Sequence, residues 1–249
     1  MKNSSEFKIF GELNYFISKK RKDISFNYDF DDNPSIKDSI EAIGVPHVEV
    51  GKIIVNNEEI DFNYKLQNND KVEVYSFYEN AIISKLRPEI ELYKFMTDEN
   101  VGGMAKYLRM LGLNTIMIPE ISDKEVARIA EKENRILLSR DFGLLKRKNV
   151  THGLFLRSTN TEEQIYEAIK KFKLEKLLKP FSICIECNGE IKVITSEQLL
   201  KEDKVEDGVL KDYNEFFRCA NCKKVFWKGS HYQRMRLLVD KYIKINDRL

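Results

Sequence analysis

No apolar run in the sequence approaches the ~18–20 residues that a membrane span requires. The start, Met1-Lys2-Asn3-Ser4-Ser5-Glu6, lacks the apolar stretch and small-residue cleavage site of a secretory signal. The expectation is a soluble, cytoplasmic protein with no membrane partner. An excess of charge of one sign is also missing: 42 Lys and Arg stand against 40 Asp and Glu, a net charge of +2. That excludes a global basic field, so any nucleic-acid contact must come from local patches. Cysteine is absent apart from four residues in two Cys-x-x-Cys pairs. In a chain without a secretion signal, such pairs point to metal binding before disulfides. Internal repeats and low-complexity tracts are absent too. What is present is apolar material, 42% of 249 residues, which excludes a wholly disordered chain and suits about two domains.

Patterning changes twice along the chain. Residues 1–79 read as β-rich around one short helix. Phe7 and Ile9 alternate with polar neighbours, as do Ile24, Phe26, Tyr28 and Phe30. Asn33-Pro34 predicts a helix start, Ile36, Ile40 and Ile43 its apolar stripe, and Gly44 its C-terminal cap. Lys52 to Val55, a turn at Asn56-Asn57, a return through Ile60 and Phe62, and a strand through Val72, Val74 and Ser76 complete a small α+β β-grasp fold. Residues 80–90 read as a linker. From 91 to 178 strands alternate with helices, which predicts a mostly parallel α/β sheet. Its strands are Leu92–Thr97, Thr115–Ile118, Arg135–Ser139 and Gly153–Leu156. Its helices carry Met104, Leu108 and Leu111, open at Ser122-x-x-Glu125, and open at Thr161-x-x-Gln164. Residues 179–249 hold the cysteines, short strands between them, and a C-terminal helix.

Open α/β sheets bind ligands beyond the carboxyl ends of their strands. Asp98, Asp123 and Asp141 all fall at such ends. Three converging carboxylates repel one another unless a cation neutralises them, and hard oxygen ligands suit Mg²⁺ or Mn²⁺. Taken singly, Asp123 fits equally well as a favourable helix-start charge, and Asp98 and Asp141 as solvated loop residues. Lys106, Arg109 and Arg140 are the nearest cations in sequence, placed to contact phosphates without reading bases. A solvated helix face accounts equally for Lys106 alone. Cys184-x-x-Cys187 and Cys219-x-x-Cys222 suit tetrahedral Zn²⁺, and four thiolates leave that ion no open position for catalysis. The 31 residues between the pairs exceed the usual gap of about 15–20, so an enlarged insert is expected. Beyond them, Phe226-Trp227-Lys228-Gly229-Ser230-His231-Tyr232-Gln233-Arg234 interleaves aromatic and basic residues, as a base-stacking surface does. Trp227 reads as platform or core, His231 as substrate contact or structural hydrogen bond.

Met96-Thr97-Asp98, Ala105-Lys106-Tyr107-Leu108-Arg109-Met110-Leu111-Gly112, Asp123 and Arg135-Ile136-Leu137-Leu138-Ser139-Arg140-Asp141 together resemble the Mut-seven C-terminal RNase family, a compact variant of the PIN nuclease fold. Cys184-x-x-Cys187-Asn188-Gly189, the second pair and Trp227-x-Gly229-Ser230-His231 resemble the zinc ribbon that follows that domain. Gly44-Val45-Pro46-His47-x-Glu49-Val50 and Val55-Asn56-Asn57 resemble the ubiquitin-like domain often fused ahead of it. The resemblance implies metal-dependent RNA cleavage with Asp98, Asp123 and Asp141 as both catalytic residues and Mg/Mn ligands. A second Glu common in larger PIN domains has no counterpart here. Asn114 stands where relatives often have Asp, and Asn57 where they often have Gly.

The reading is thus a Mg/Mn-dependent ribonuclease acting on single-stranded RNA. A structural zinc sits at Cys184, Cys187, Cys219 and Cys222, and substrate contacts come from Lys106, Arg109, Arg140, Trp227 and His231. The alternative is a zinc-ribbon RNA-binding or adaptor protein with a degenerate acidic site. The β-grasp lacks the exposed terminal Gly-Gly of a sulfur or conjugation carrier, so docking to RNA or a protein partner is its expected role.

Overall fold

The structure, a computed structural model, describes residues 2–77, 84–202 and 207–244. Positions 80–83 of the expected linker and the last five residues of the C-terminal module lie outside the described residues.

Strand alternation builds the N-terminal sheet. β1 (Asn3–Ile9) buries Ser5, Phe7 and Ile9 and exposes Glu6. It pairs antiparallel with β2 (Ser25–Phe30). Helix α1 (Ile36–Ile43) starts two residues later than Asn33-Pro34 suggests, because the Ser35 hydroxyl accepts from the Asp38 amide and so occupies the cap position. The Pro34 carbonyl is instead used by the Leu66 amide. Gly44, at φ 127°, ends the helix as expected. β3 (Val50–Val55) turns through Asn56 and Asn57, both at positive φ, into β4 (Glu58–Glu59). The return strand stops short of Ile60 and Phe62, because the Asp61 carbonyl and carboxylate accept from the Tyr64 and Asn63 amides and form a turn. β5 (Lys71–Ser76) lies parallel to β1, giving the sheet order β2-β1-β5-β3-β4. Phe7, Ile9, Ile36, Ile40, Ile53 and Val74 share one core, each contributing about 1.5–3 kcal/mol of burial. The β-grasp expectation is met.

The next elements alternate as expected, with shorter strands: β6 (Phe95–Thr97), α2 (Gly103–Met110), β7 (Thr115–Ile116), α3 (Asp123–Lys132), β8 (Ile136–Ser139), α4 (Phe142–Leu145), β9 (Gly153–Phe155) and α5 (Thr161–Phe172). β6 pairs with β7 and β8 with β9, both parallel. Ser122 caps α3, but the Glu125 carboxylate turns to Arg128 rather than back to the cap. For α5 the cap is Asn160, one residue before the expected Thr161, since the Asn160 side chain accepts from two amides. β10 (Ile191–Ile194), α6 (Ser196–Glu202), α7 (Asp207–Asp212), β11 (Phe216–Cys219), β12 (Val225–Trp227) and α8 (Ser230–Lys244) follow. β10, β11 and β12 form one antiparallel sheet.

Two compact units result, each made of two stretches: Met1–Leu92 with Ile121–Phe155, and Tyr93–Glu120 with Leu156–Leu249. In the second unit Gly112, at φ 84°, lets the chain end α2 against the Lys179 carbonyl, where a Cβ would lie 2.1 Å from that oxygen. In the first, His152 has its pKa pushed down to about 4, first by burial and then by the charge of Arg87. The fold therefore accepts the neutral ring. Its contribution to stability is complete above the ordinary value of about 6.5 and is lost as pH falls toward 4. His152→Gln is expected to flatten the acid side of the pH–stability curve in that window, read by denaturant unfolding. A curve unchanged between pH 6.5 and 4 would contradict the assignment.

Candidate functional site

Each strand-end acid occupies a helix start. Asp98 directly follows β6, is 6% exposed, and accepts from the Val101 amide through Oδ1 at 3.2 Å, capping a 3-10 turn. Asp141 lies two residues beyond β8 and accepts from the Leu144 amide at 2.9 Å, capping α4. Its own amide donates to the buried Ser139 hydroxyl at 2.9 Å, which ties the backbone at Asp141 to the end of β8. Asp123 is the first residue of α3 and is exposed. Asp98 belongs to one compact unit and Asp123 and Asp141 to the other, so neither unit by itself holds all three.

The four cysteines fit a metal directly. Their sulfurs all lie within 4.8 Å of one another, with Cys184 and Cys222 at 3.7 Å and Cys187 and Cys219 at 3.3 Å. Sulfurs at the corners of a tetrahedron around zinc, each about 2.3 Å from the ion, stand about 3.8 Å apart. The two pairs share one backbone conformation. Asn188 and Lys223, four residues after Cys184 and Cys219, are both left-handed and both donate to the carbonyl of that first cysteine. The first cysteine's own amide donates one residue further on, to Gly189 and Lys224 respectively. A Cβ at Gly189 would sit 2.8 Å from the Cys219 sulfur, so only glycine lets the pairs close on each other. The enlarged gap between them holds β10, α6 and α7.

Arg109 corrects the sequence reading. It is 7% exposed; Nε donates to the Thr115 carbonyl at 2.7 Å, and Nη1 donates to the carbonyls of Ile185 and Glu186 at 3.2 and 2.7 Å. Those carbonyls lie between Cys184 and Cys187. Burial lowers the guanidinium's pKa, while Cys184, Cys187 and Glu186 favour its charge. A side chain committed in this way ties α2 to the cysteine knuckle and is not placed for a phosphate. Around it the Thr115 amide donates to Asn188 Oδ1, and Asn188 Nδ2 donates to Asn114 Oδ1. Asn114 thus has a structural use.

Lys106 remains exposed, 3.5 Å from Glu186. Lys224 is 3.0 Å from the same carboxylate, and the two lysines hold its pKa below the usual range, Lys224 contributing most. Lys106 and His231 line one cavity of about 470 Å³, together with Tyr107, Met110, Arg234 and Met235. Trp227 lies elsewhere, in an apolar cavity of about 440 Å³ with Lys228 and Tyr232. In the sequence Tyr107 and Arg234 stand only inside longer motifs, with no role of their own. The signal for Arg234 was its position three residues after His231 on one helix. Arg140 is half-buried beside Asp141.

The family described as Mut7-C RNAse domain matches residues 93–239, more than half of the chain. The chain belongs to the Mut7-C RNAse domain family. The family described as Mut7-C ubiquitin matches residues 3–81, so the β-grasp is a ubiquitin-like domain placed ahead of the Mut7-C region. No curated protein and no solved structure matches the chain. Zinc-ribbon geometry and the Mut7-C match coincide over the four cysteines.

The Arg109 geometry sets the expectation for this part of the Mut7-C region. Arg109→Ala strands the buried Thr115 carbonyl, unpairs two half-buried carbonyls of the knuckle and removes a cation that interacts with Cys184 and Cys187, which costs about 2–4 kcal/mol and speeds zinc loss to a chelator. Unfolding curves and colorimetric zinc release check this. A variant as stable and as zinc-retentive as wild type would return Arg109 to a substrate role.

Proposed function

We propose that the protein is a ribonuclease that cuts single-stranded RNA in the cytoplasm with Mg²⁺ or Mn²⁺ held by Asp98, Asp123 and Asp141. The observation that carries the reading is the Mut7-C match over residues 93–239. The donor chemistry supports it, since three carboxylates at strand ends suit a hard cation, and two of them are oriented by amides they cap. A bound ion of this kind activates water and stabilises the leaving oxygen of a phosphodiester. The sequence modules 1–79, 91–178 and 179–249 serve as ubiquitin-like domain, PIN-like nuclease and zinc ribbon with helix.

Substrate positioning falls to the cavity beside α8. Lys106 and Arg234 supply phosphate contacts, Tyr107 a ring for a base, and His231 a further donor. Arg140 adds a cation next to Asp141, and Trp227 a stacking surface outside that cavity. The zinc supports folding and takes no part in the cut, because four thiolates fill it.

Asparagine caps a helix as well as aspartate does, so Asp98→Asn and Asp141→Asn preserve both caps while removing the charge an ion needs. Both are expected to keep the wild-type melting temperature and to lose at least about a hundredfold in cleavage of unstructured RNA. EDTA should abolish the wild-type activity and added Mn²⁺ restore it. Equal cleavage by wild type and Asp141→Asn would overturn the nuclease reading in favour of an RNA-binding adaptor.

A further inference from the structure

The Mut7-C ubiquitin match ends at residue 81 and the RNAse match begins at 93, yet residues 121–155 are compact with the ubiquitin-like region. The contacts are specific. Glu49, 1% exposed, accepts from the Phe155 amide at 2.7 Å. His47, 4% exposed, uses Nε2 on the Val150 carbonyl at 2.7 Å and Nδ1 on Glu41 at 2.6 Å. Lys146 donates to the Glu41 carbonyl at 2.7 Å. Phe16 packs edge-on against Phe142 and Phe155, both at 5.7 Å, and those two rings stack at 4.2 Å.

The segment His47–Glu49 is itself fixed from behind. Arg87 donates to the carbonyls of His47 and Val48 at 2.8 Å and also to that of Val50. Burial lowers its pKa to about 10, and Glu49 favours its charge. Gly153 completes the fit, because a Cβ there would lie 3.0 Å from Leu145, 3.1 Å from the Leu137 carbonyl and 3.4 Å from Val48. A module merely tethered by a linker keeps its polar groups in water. Here a carboxylate and an imidazole are buried and spent on backbone atoms more than a hundred residues away, and parting the surfaces would strand them.

We propose that the ubiquitin-like domain is a brace for residues 121–155, held through His47, Glu49 and Phe16, so that its first docking partner is its own chain. The braced segment carries Asp123 and Asp141, with Phe142 directly after the second. The effect on those two acids rests on the ribonuclease reading; the brace itself does not. Glu49, His47 and Phe16 then act as positioning residues, through β9 and α4.

The test uses the full chain with a protease recognition sequence inserted between residues 79 and 82, cut after folding and run on size exclusion at micromolar concentration. The wild-type fragments are expected to elute together. Glu49→Gln keeps an acceptor for the Phe155 amide and should co-elute likewise. Glu49→Ala with Phe142→Ala removes the acceptor and a ring that is 38% exposed, so the core stays closed. Its fragments should associate at least about tenfold more weakly. Wild-type fragments that part on cutting would overturn the brace, as would a double variant that holds as tightly as wild type. The readout involves no RNA, so loss of the nuclease reading would leave this result standing.

Discussion

A buried guanidinium organises the metal-binding half of the molecule. Arg109 is 7% exposed, and it spends Nε and Nη1 on carbonyls of the α2–β7 turn and the first cysteine knuckle. Four thiolates around a divalent ion carry net negative charge, and a cation behind the knuckle offsets it. The neighbouring Asn114–Asn188–Thr115 hydrogen bonds and the Lys179 and Phe181 amides, which donate to Leu111 and Met110, extend the same seam. The knuckle is therefore an extension of α2. Lys106, one turn before Arg109 on that helix, reaches Glu186 of the knuckle at 3.5 Å.

Local rules were legible in the sequence wherever a short span of residues decides the outcome. Ile36, Ile40 and Ile43 with Gly44 gave one helix its stripe and its end, and the two cysteine pairs gave a metal site. Boundaries moved by one or two residues where competing caps were adjacent, as at Ser35 after Pro34 and Asn160 before Thr161. Roles that depend on distant partners were not legible. Arg109 looks like a cation on a polar helix face until the knuckle 76 residues away supplies carbonyls for it. The role of His47 is hidden in the same way, because one ring nitrogen pairs with Glu41 six residues back while the other meets a carbonyl 103 residues ahead. Spacing records periodicity, and it carries no record of which backbone group will need a donor.

The acids illustrate how one residue type serves two purposes. At Asp98 and Asp141 the carboxylate closes a turn through one oxygen, and the turn in turn fixes its direction. Orientation by main-chain amides sets the carboxylate direction through the backbone itself. The hydroxyl of Ser139 adds a second restraint at Asp141 by accepting from its amide. In the proposed division, soft sulfur ligands maintain the fold and hard oxygen ligands perform the reaction, two chemistries that select different ions without competing.

Crystals grown with zinc, soaked in Mn²⁺ and measured at the absorption edges of both metals test that division most directly. The expected result is a zinc peak among the sulfurs of Cys184, Cys187, Cys219 and Cys222 and a manganese peak against the carboxylates of Asp98, Asp123 and Asp141. Manganese absent from those carboxylates, or bound elsewhere while they pair with other side chains, would contradict it.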